Sequence, residues 1–169
     1  IFVVGVKELV DEIEKKTDVK NTSDNPDLII VAYDKELTYQ KLETACELIN
    51  RGIPYYLSHI DIFCPTLKGN MPDCGAIGIL IEKTTGKKSI NNFGKPSDLM
   101  ADYISNILPK EINKIVVGDR IHTDIELGKK LGADTVLVCS GEYQPSTDKN
   151  HCIKDTQIFN TLTDYLITV

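Results

Sequence analysis

The chain has 169 residues, 41% of them hydrophobic and 26% charged, and a formal net charge of −6. Its hydrophobic content is too high for a disordered chain, and its negative balance excludes an electrostatic nucleic-acid binder, which needs clustered Lys and Arg. No apolar run approaches the roughly 18 residues of a membrane span, so no membrane partner is expected.

The sequence opens at Ile1 inside the apolar run Ile1-Phe2-Val3-Val4 with no initiator Met, which reads as the middle of a protein. That run predicts a short buried strand. Val6, Leu9, Val10 and Ile13 then fall at helical spacing, with charges on the opposite face. A polar loop over Asn21–Pro26 leads to an apolar strand, Leu28–Tyr33. Thr38 is placed to cap the next helix, where Leu42, Ala45, Cys46 and Ile49 form one stripe. Gly52 ends that helix and Ile53–Leu57 is the next strand, giving a βαβ unit with parallel strands. Cys64–Gly75, with two prolines and two glycines, reads as a long loop, Ala76–Ile81 as a strand and Thr84–Lys88 as a polar turn. A domain boundary is expected around Ser89–Asn92.

Beyond it, Leu99, Met100, Tyr103, Ile104 and Ile107 predict an amphipathic helix, with Pro96 suited to its first turn. Lys114–Val117 is a strand. Thr123 and Glu126 have the spacing of a capping box, followed by a short helix that ends at Gly132. Thr135–Cys139 completes a second βαβ unit, and a weak strand near Ile158 and a helix at Leu162–Ile167 close the chain. The fold class is α/β in two parts, residues 1–89 and 90–169. The five cysteines, Cys46, Cys64, Cys74, Cys139 and Cys152, are odd in number and form no CxxC pair, the usage of a reducing cytosol. Cys46 and Cys139 sit in apolar patterns and read as buried thiols.

The segment that carries chemistry is Val116-Val117-Gly118-Asp119-Arg120-Ile121-His122-Thr123-Asp124. A buried strand delivers Asp119 at its carboxyl end, where open α/β sheets bind ligands. Asp124 follows at the start of the next helix, so both carboxylates can face one crevice. Mg²⁺ takes one or two carboxylates together with substrate phosphate oxygens and water. In Gly94-Lys95-Pro96-Ser97, Lys95 stands at a helix mouth as a point charge for a phosphate. The bland alternatives are a solvated lysine in a turn, and two aspartates that cap a turn and a helix. His122 reads as a surface histidine.

Together the two segments resemble the haloacid dehalogenase (HAD) superfamily of phosphatases. Lys95 matches that superfamily's third motif, and Asp119 with Asp124 its fourth. Phe2-Val3-Val4-Gly5, Val31-Ala32-Tyr33-Asp34, Leu37-Thr38-Tyr39-Gln40-Lys41-Leu42 and Pro72-Asp73-Cys74-Gly75 are similar, in order, to the cap domain of its NagD-like, 4-nitrophenylphosphatase, phosphoglycolate and pyridoxal phosphatase branch. Leu137-Val138-Cys139-Ser140-Gly141 looks like that branch's strand after the fourth motif. The resemblance implies an α/β cap over residues 1–89 and the C-terminal half of a Rossmann-like core over 90–169. It implies a cytoplasmic, Mg²⁺-dependent hydrolase of a small phosphorylated metabolite, with a homodimer through the cap. On this template Lys95 holds the nucleophile and the phosphoryl oxygens, Asp119 ligates Mg²⁺, and Asp124 either ligates it or orients Asp119. Substrate-facing positions fall on Tyr33, Asp61, Phe63 and Cys64, with ordinary core packing the alternative for Tyr33 and Phe63.

The nucleophile motif, Asp-x-Asp after an apolar strand, does not occur in these residues. Asp34 follows a strand, but Glu36 stands two residues on. The resemblance places that motif ahead of the position of Ile1, so the chain by itself is expected to be inactive. Three readings stay open: part of an active phosphatase, a catalytically incomplete binding or dimerisation module, or an unrelated α/β binding protein.

Overall fold

The computed structural model describes residues 1–109, 111–145, 153 and 155–169. It divides into two compact units, Ile1–Gly94 and Lys95–Val169. Residues 90–93 stay with the first unit because they bond to its third strand: Leu57 N–H donates to the Asn91 carbonyl, and Phe93 N–H to the Leu57 carbonyl. The division therefore falls a little beyond the expected Ser89–Asn92 boundary.

The first unit is built on a parallel sheet of β1 (Phe2–Val4), β2 (Ile29–Val31) and β3 (Tyr55–Leu57), in that order. α1 (Lys7–Lys16) crosses from β1 to β2, and α2 (Tyr39–Asn50) from β2 to β3. Thr38 caps α2 as expected, its Oγ1 accepting the Lys41 N–H at 3.2 Å. Val4, Ile29 and Val31 are fully buried and pack with Ala45, Leu48 and Ile49 of α2 and with Cys74, Ile77 and Ile81.

Those last residues correct the sequence reading. The expected strand Ala76–Ile81 lies inside a helix, α3 (Cys74–Thr85), capped by Asp73. Its buried residues recur at helical spacing, while Ile79 and Leu80 face outward. A short apolar run cannot by itself separate a buried strand from a helix. The helix also absorbs the start of the expected Thr84–Lys88 turn and ends at Gly86. The expected Cys64–Gly75 loop is largely an antiparallel hairpin, β4 (Phe63–Thr66) and β5 (Gly69–Pro72), exposed along both strands. Pro65 and Pro72 hide it from a sequence reading, because proline is tolerated only on strands with a free edge. The fully buried thiol is Cys74, whose Sγ donates to the Val31 carbonyl at 3.1 Å; Cys46 and Cys139 are only half-buried. Cys152 lies outside the described residues.

The second unit is also a parallel sheet, with β7 (Asp134–Val138) between β6 (Ile115–Gly118) and β8 (Thr156–Phe159). α4 (Asp98–Ile107) is capped by Ser97, whose Oγ accepts the Met100 N–H. Pro96 therefore precedes the cap and is not in the first helical turn. Thr123 does not cap a helix either. Ile121–Ile125 forms a π-helical turn that runs directly into α5 (Glu126–Lys130), so the expected capping box is absent and Thr123 lies buried inside the turn. On one face Val116 packs with Ala101, Leu127 and Leu131 from α4 and α5. On the other, Val136 and Val138 pack with Tyr165 of α6 (Leu162–Thr168), whose ring meets Phe159 edge-on. α6 leaves Ile115 and Val117 of β6 exposed.

Candidate active site

Asp119 leaves the carboxyl end of β6 and Asp124 sits in the π-helical turn that follows. The turn brings Asp124 back beneath the strand end, where it is buried. Its Oδ2 accepts the backbone N–H groups of Asp119 at 3.2 Å and Arg120 at 3.1 Å. Its Oδ1 lies 2.5 Å from Lys95 Nζ. Gly118 is required for this arrangement, since a Cβ there would stand 2.3 Å from Asp124 Cβ. Both Asp124 oxygens are thus engaged in charge-assisted bonds, which fix the carboxylate firmly.

Lys95 reaches Asp124 from just ahead of α4, across 29 residues of sequence, and its side chain is half exposed. Asp119 is held differently. Its Oδ2 accepts the Glu142 N–H at 2.7 Å, and its Oδ1 has no bond among the described residues. Glu142 follows β7, the strand beside β6, and its carboxylate pairs with the Arg120 guanidinium. Gly141 has no room for a side chain, because a Cβ would lie 1.8 Å from Asp119 Oδ2. Sequence reasoning missed Glu142 and the role of Gly141. The available signal was topological: parallel neighbours end on the same side, so the residues just after β7 approach those just after β6. His122 is exposed.

The structure brings Lys95, Asp119 and Asp124 together within the second unit. Tyr33, Asp61, Phe63 and Cys64 belong to the first. Tyr33 is half-buried beyond the carboxyl end of β2, and Phe63 and Cys64 are exposed on β4, so Phe63 is not a core residue. Asp61 lies 3.5 Å from His59 Nδ1, and His59 Nε2 lies 3.3 Å from Asp73, so this histidine stands between two carboxylates. Asp34 is buried and structural: Lys41 Nζ donates to its Oδ2 at 2.8 Å.

No group of three or more His, Cys, Asp or Glu among the described residues could hold a metal ion. The donor set present is one half-exposed carboxylate with an open oxygen, Asp119, backed by a fixed one, Asp124. This fits a hard cation shared with phosphate oxygens and water, and does not fit a closed protein cage.

Residues 92–165 match the HAD-hydrolase-like family model. The 4-nitrophenylphosphatase of Thermotoga maritima superimposes with a TM-score of 0.87 at 36% identity, over 97% of this chain and 63% of that one. The chain resembles the HAD-like hydrolases, through the family match in its second unit and through fold along its length. Among curated relatives, the 5'-nucleotidase YutF of Bacillus subtilis is 26% identical over 98% of this chain and 64% of its own length. The acid sugar phosphatase of Staphylococcus haemolyticus is 30% identical over 70% of this chain and 45% of its own length. The chain thus spans less than two thirds of the length of each of these three relatives. The family match covers the whole Lys95–Asp119–Asp124 cluster. No helix among the described residues is long and apolar enough to cross a membrane.

Proposed function

We propose that the protein to which this chain belongs is a Mg²⁺-dependent hydrolase of small phosphomonoesters, and that Lys95, Asp119 and Asp124 form the phosphate-facing half of its site. The observation that carries the reading is the clamped pair at the end of β6. One carboxylate is fully engaged by Lys95 and two backbone N–H groups, while its neighbour keeps an oxygen open.

Asp119 would hold the cation through that open oxygen, and Asp124 would keep the strand end and Lys95 in place behind it. When bound, Mg²⁺ would supply positive charge against the phosphoryl oxygens. Lys95, half exposed beside Asp124, would present its ammonium to the same oxygens and lower the repulsion met by an anionic nucleophile. The nucleophilic Asp and the acid-base Asp that the family resemblance implies are not among these residues. They would come from the part of the protein that corresponds to the remainder of the relatives' length. The first unit would act as the cap, with Tyr33, Asp61, Phe63 and Cys64 facing the leaving group. The hairpin that exposes Leu67 and Met71 would support a homodimer, and the protein would work in the cytoplasm.

The test is phosphate release by the full-length gene product from 4-nitrophenyl phosphate, nucleoside monophosphates and sugar phosphates. Turnover should need Mg²⁺, stop with a chelator, and fall by at least about a hundredfold in Asp119→Asn, within the range found when one charge-stabilising group is removed. A full-length protein that self-associates yet turns over none of these would instead support the binding-module reading.

A further inference from the structure

We propose that Glu142 and Arg120 form a latch that positions Asp119 for cation binding; the inference rests on Asp119 being a cation ligand. The Oδ2 atom of Asp119 accepts the Glu142 backbone N–H. The open Oδ1 is therefore aimed only as well as residue 142 is placed. Residue 142 is exposed between Gly141, which carries no side chain, and Tyr143, which is buried with Ile125 and Leu137 and anchors the loop on that side. On the Asp119 side it is fixed by its carboxylate, which accepts a hydrogen bond from Arg120 Nη2.

Arg120 is a sound anchor because its own backbone N–H is bound to the buried Asp124 at 3.1 Å. The contacts close a ring. Backbone joins Asp119 to Arg120, the guanidinium joins Arg120 to Glu142, and the Glu142 N–H returns to Asp119. Opening the ring at the ion pair leaves the Glu142 N–H held only through the Tyr143 anchor one residue on, so the Asp119 carboxylate gains freedom that cation binding must then remove. Glu142 touches neither cation nor substrate in this account, which makes it a positioning residue. Partners of this kind typically change metal affinity by about 10–100-fold when removed. Both side chains are partly exposed, so the low end is expected.

The experiment is Mn²⁺ titration of the full-length protein by electron paramagnetic resonance, with no turnover required. Glu142→Ala and Arg120→Glu should each weaken Mn²⁺ binding by about tenfold. The swap Arg120→Glu with Glu142→Arg should recover most of the loss, which a general loosening of the loop would not do. If Glu142→Ala melts early, Glu142→Gln replaces it; this variant keeps a hydrogen bond without the charge and should give an intermediate loss. Asp119→Asn is the reference and should abolish tight binding. Loss in Asp119→Asn with unchanged affinity in the Glu142 and Arg120 variants overturns the latch and leaves the cation site standing. Unchanged affinity in Asp119→Asn overturns both.

Discussion

Replacing Gly118 with Ala should dismantle the site from beneath. The added Cβ would stand 2.3 Å from Asp124 Cβ and Cγ and 2.4 Å from its Oδ2. Carbon atoms rest at about 3.5–4.0 Å, so the π-helical turn must retreat by more than about 1 Å. Asp124 Oδ2 lies 3.2 and 3.1 Å from the two backbone nitrogens it serves, and that retreat takes both beyond hydrogen-bond reach. Overpacking costs about 1–3 kcal/mol, and loss of a hydrogen bond to a charged group about 1.5–3 kcal/mol. With both bonds lost, a combined loss of about 4 kcal/mol or more is expected, or roughly 10 °C or more in melting temperature for a chain of this size. Thermal melting with hydrogen exchange read by mass spectrometry should show protection lost over β6, the turn and α5, and retained over β1–β3. Combining Gly118→Ala with Asp124→Gly should be less than additive, because the second change removes the clashing atoms. A melting temperature within about 2 °C of wild type would refute the reasoning.

Three further outcomes are expected. Thr38→Ala removes the cap of α2 and should destabilise the first unit by about 1 kcal/mol, seen as a small fall in its urea midpoint. Among the four described cysteines, thiol labelling should modify exposed Cys64 first and Cys74 last; Cys74 is buried, its thiol is pushed above the ordinary range by that burial, and it should react only after unfolding. β6 pairs on one side only among the described residues and exposes Ile115 and Val117, the profile of an aggregation-prone edge. Val117→Lys should therefore reduce self-association of the 169-residue chain in size-exclusion chromatography with light scattering.

Most of the βαβ framework was legible because its signals are local. The apolar runs around Ile29 and Val116, the Thr38 cap and the glycines at 52 and 132 each act over a few residues. The failures arose where local signals conflict or where distant residues decide. Ala76–Ile81 offers no polar alternation to reveal its period, and only the packing of Cys74, Ile77 and Ile81 against β2 and β3 settles it. Thr123 and Glu126 have capping spacing, yet Asp124 is drawn back to the end of β6 and winds that turn into a π-helix. Asp119 and Asp124 could be read from strand, turn and helix in sequence. Glu142 could not, because its bond to Asp119 spans 23 residues and follows from the pairing of β6 with β7.

The most direct test of the central claim is a crystal structure of the full-length protein with Mn²⁺ and a phosphate mimic such as vanadate, using anomalous scattering to locate the metal. The account predicts a manganese peak in ligand contact with Asp119 Oδ1 and mimic oxygens beside Lys95 Nζ, with Asp124 still bound to the N–H groups of Asp119 and Arg120. A metal and mimic bound elsewhere, with Asp119 bonded only to the Glu142 N–H, would contradict it.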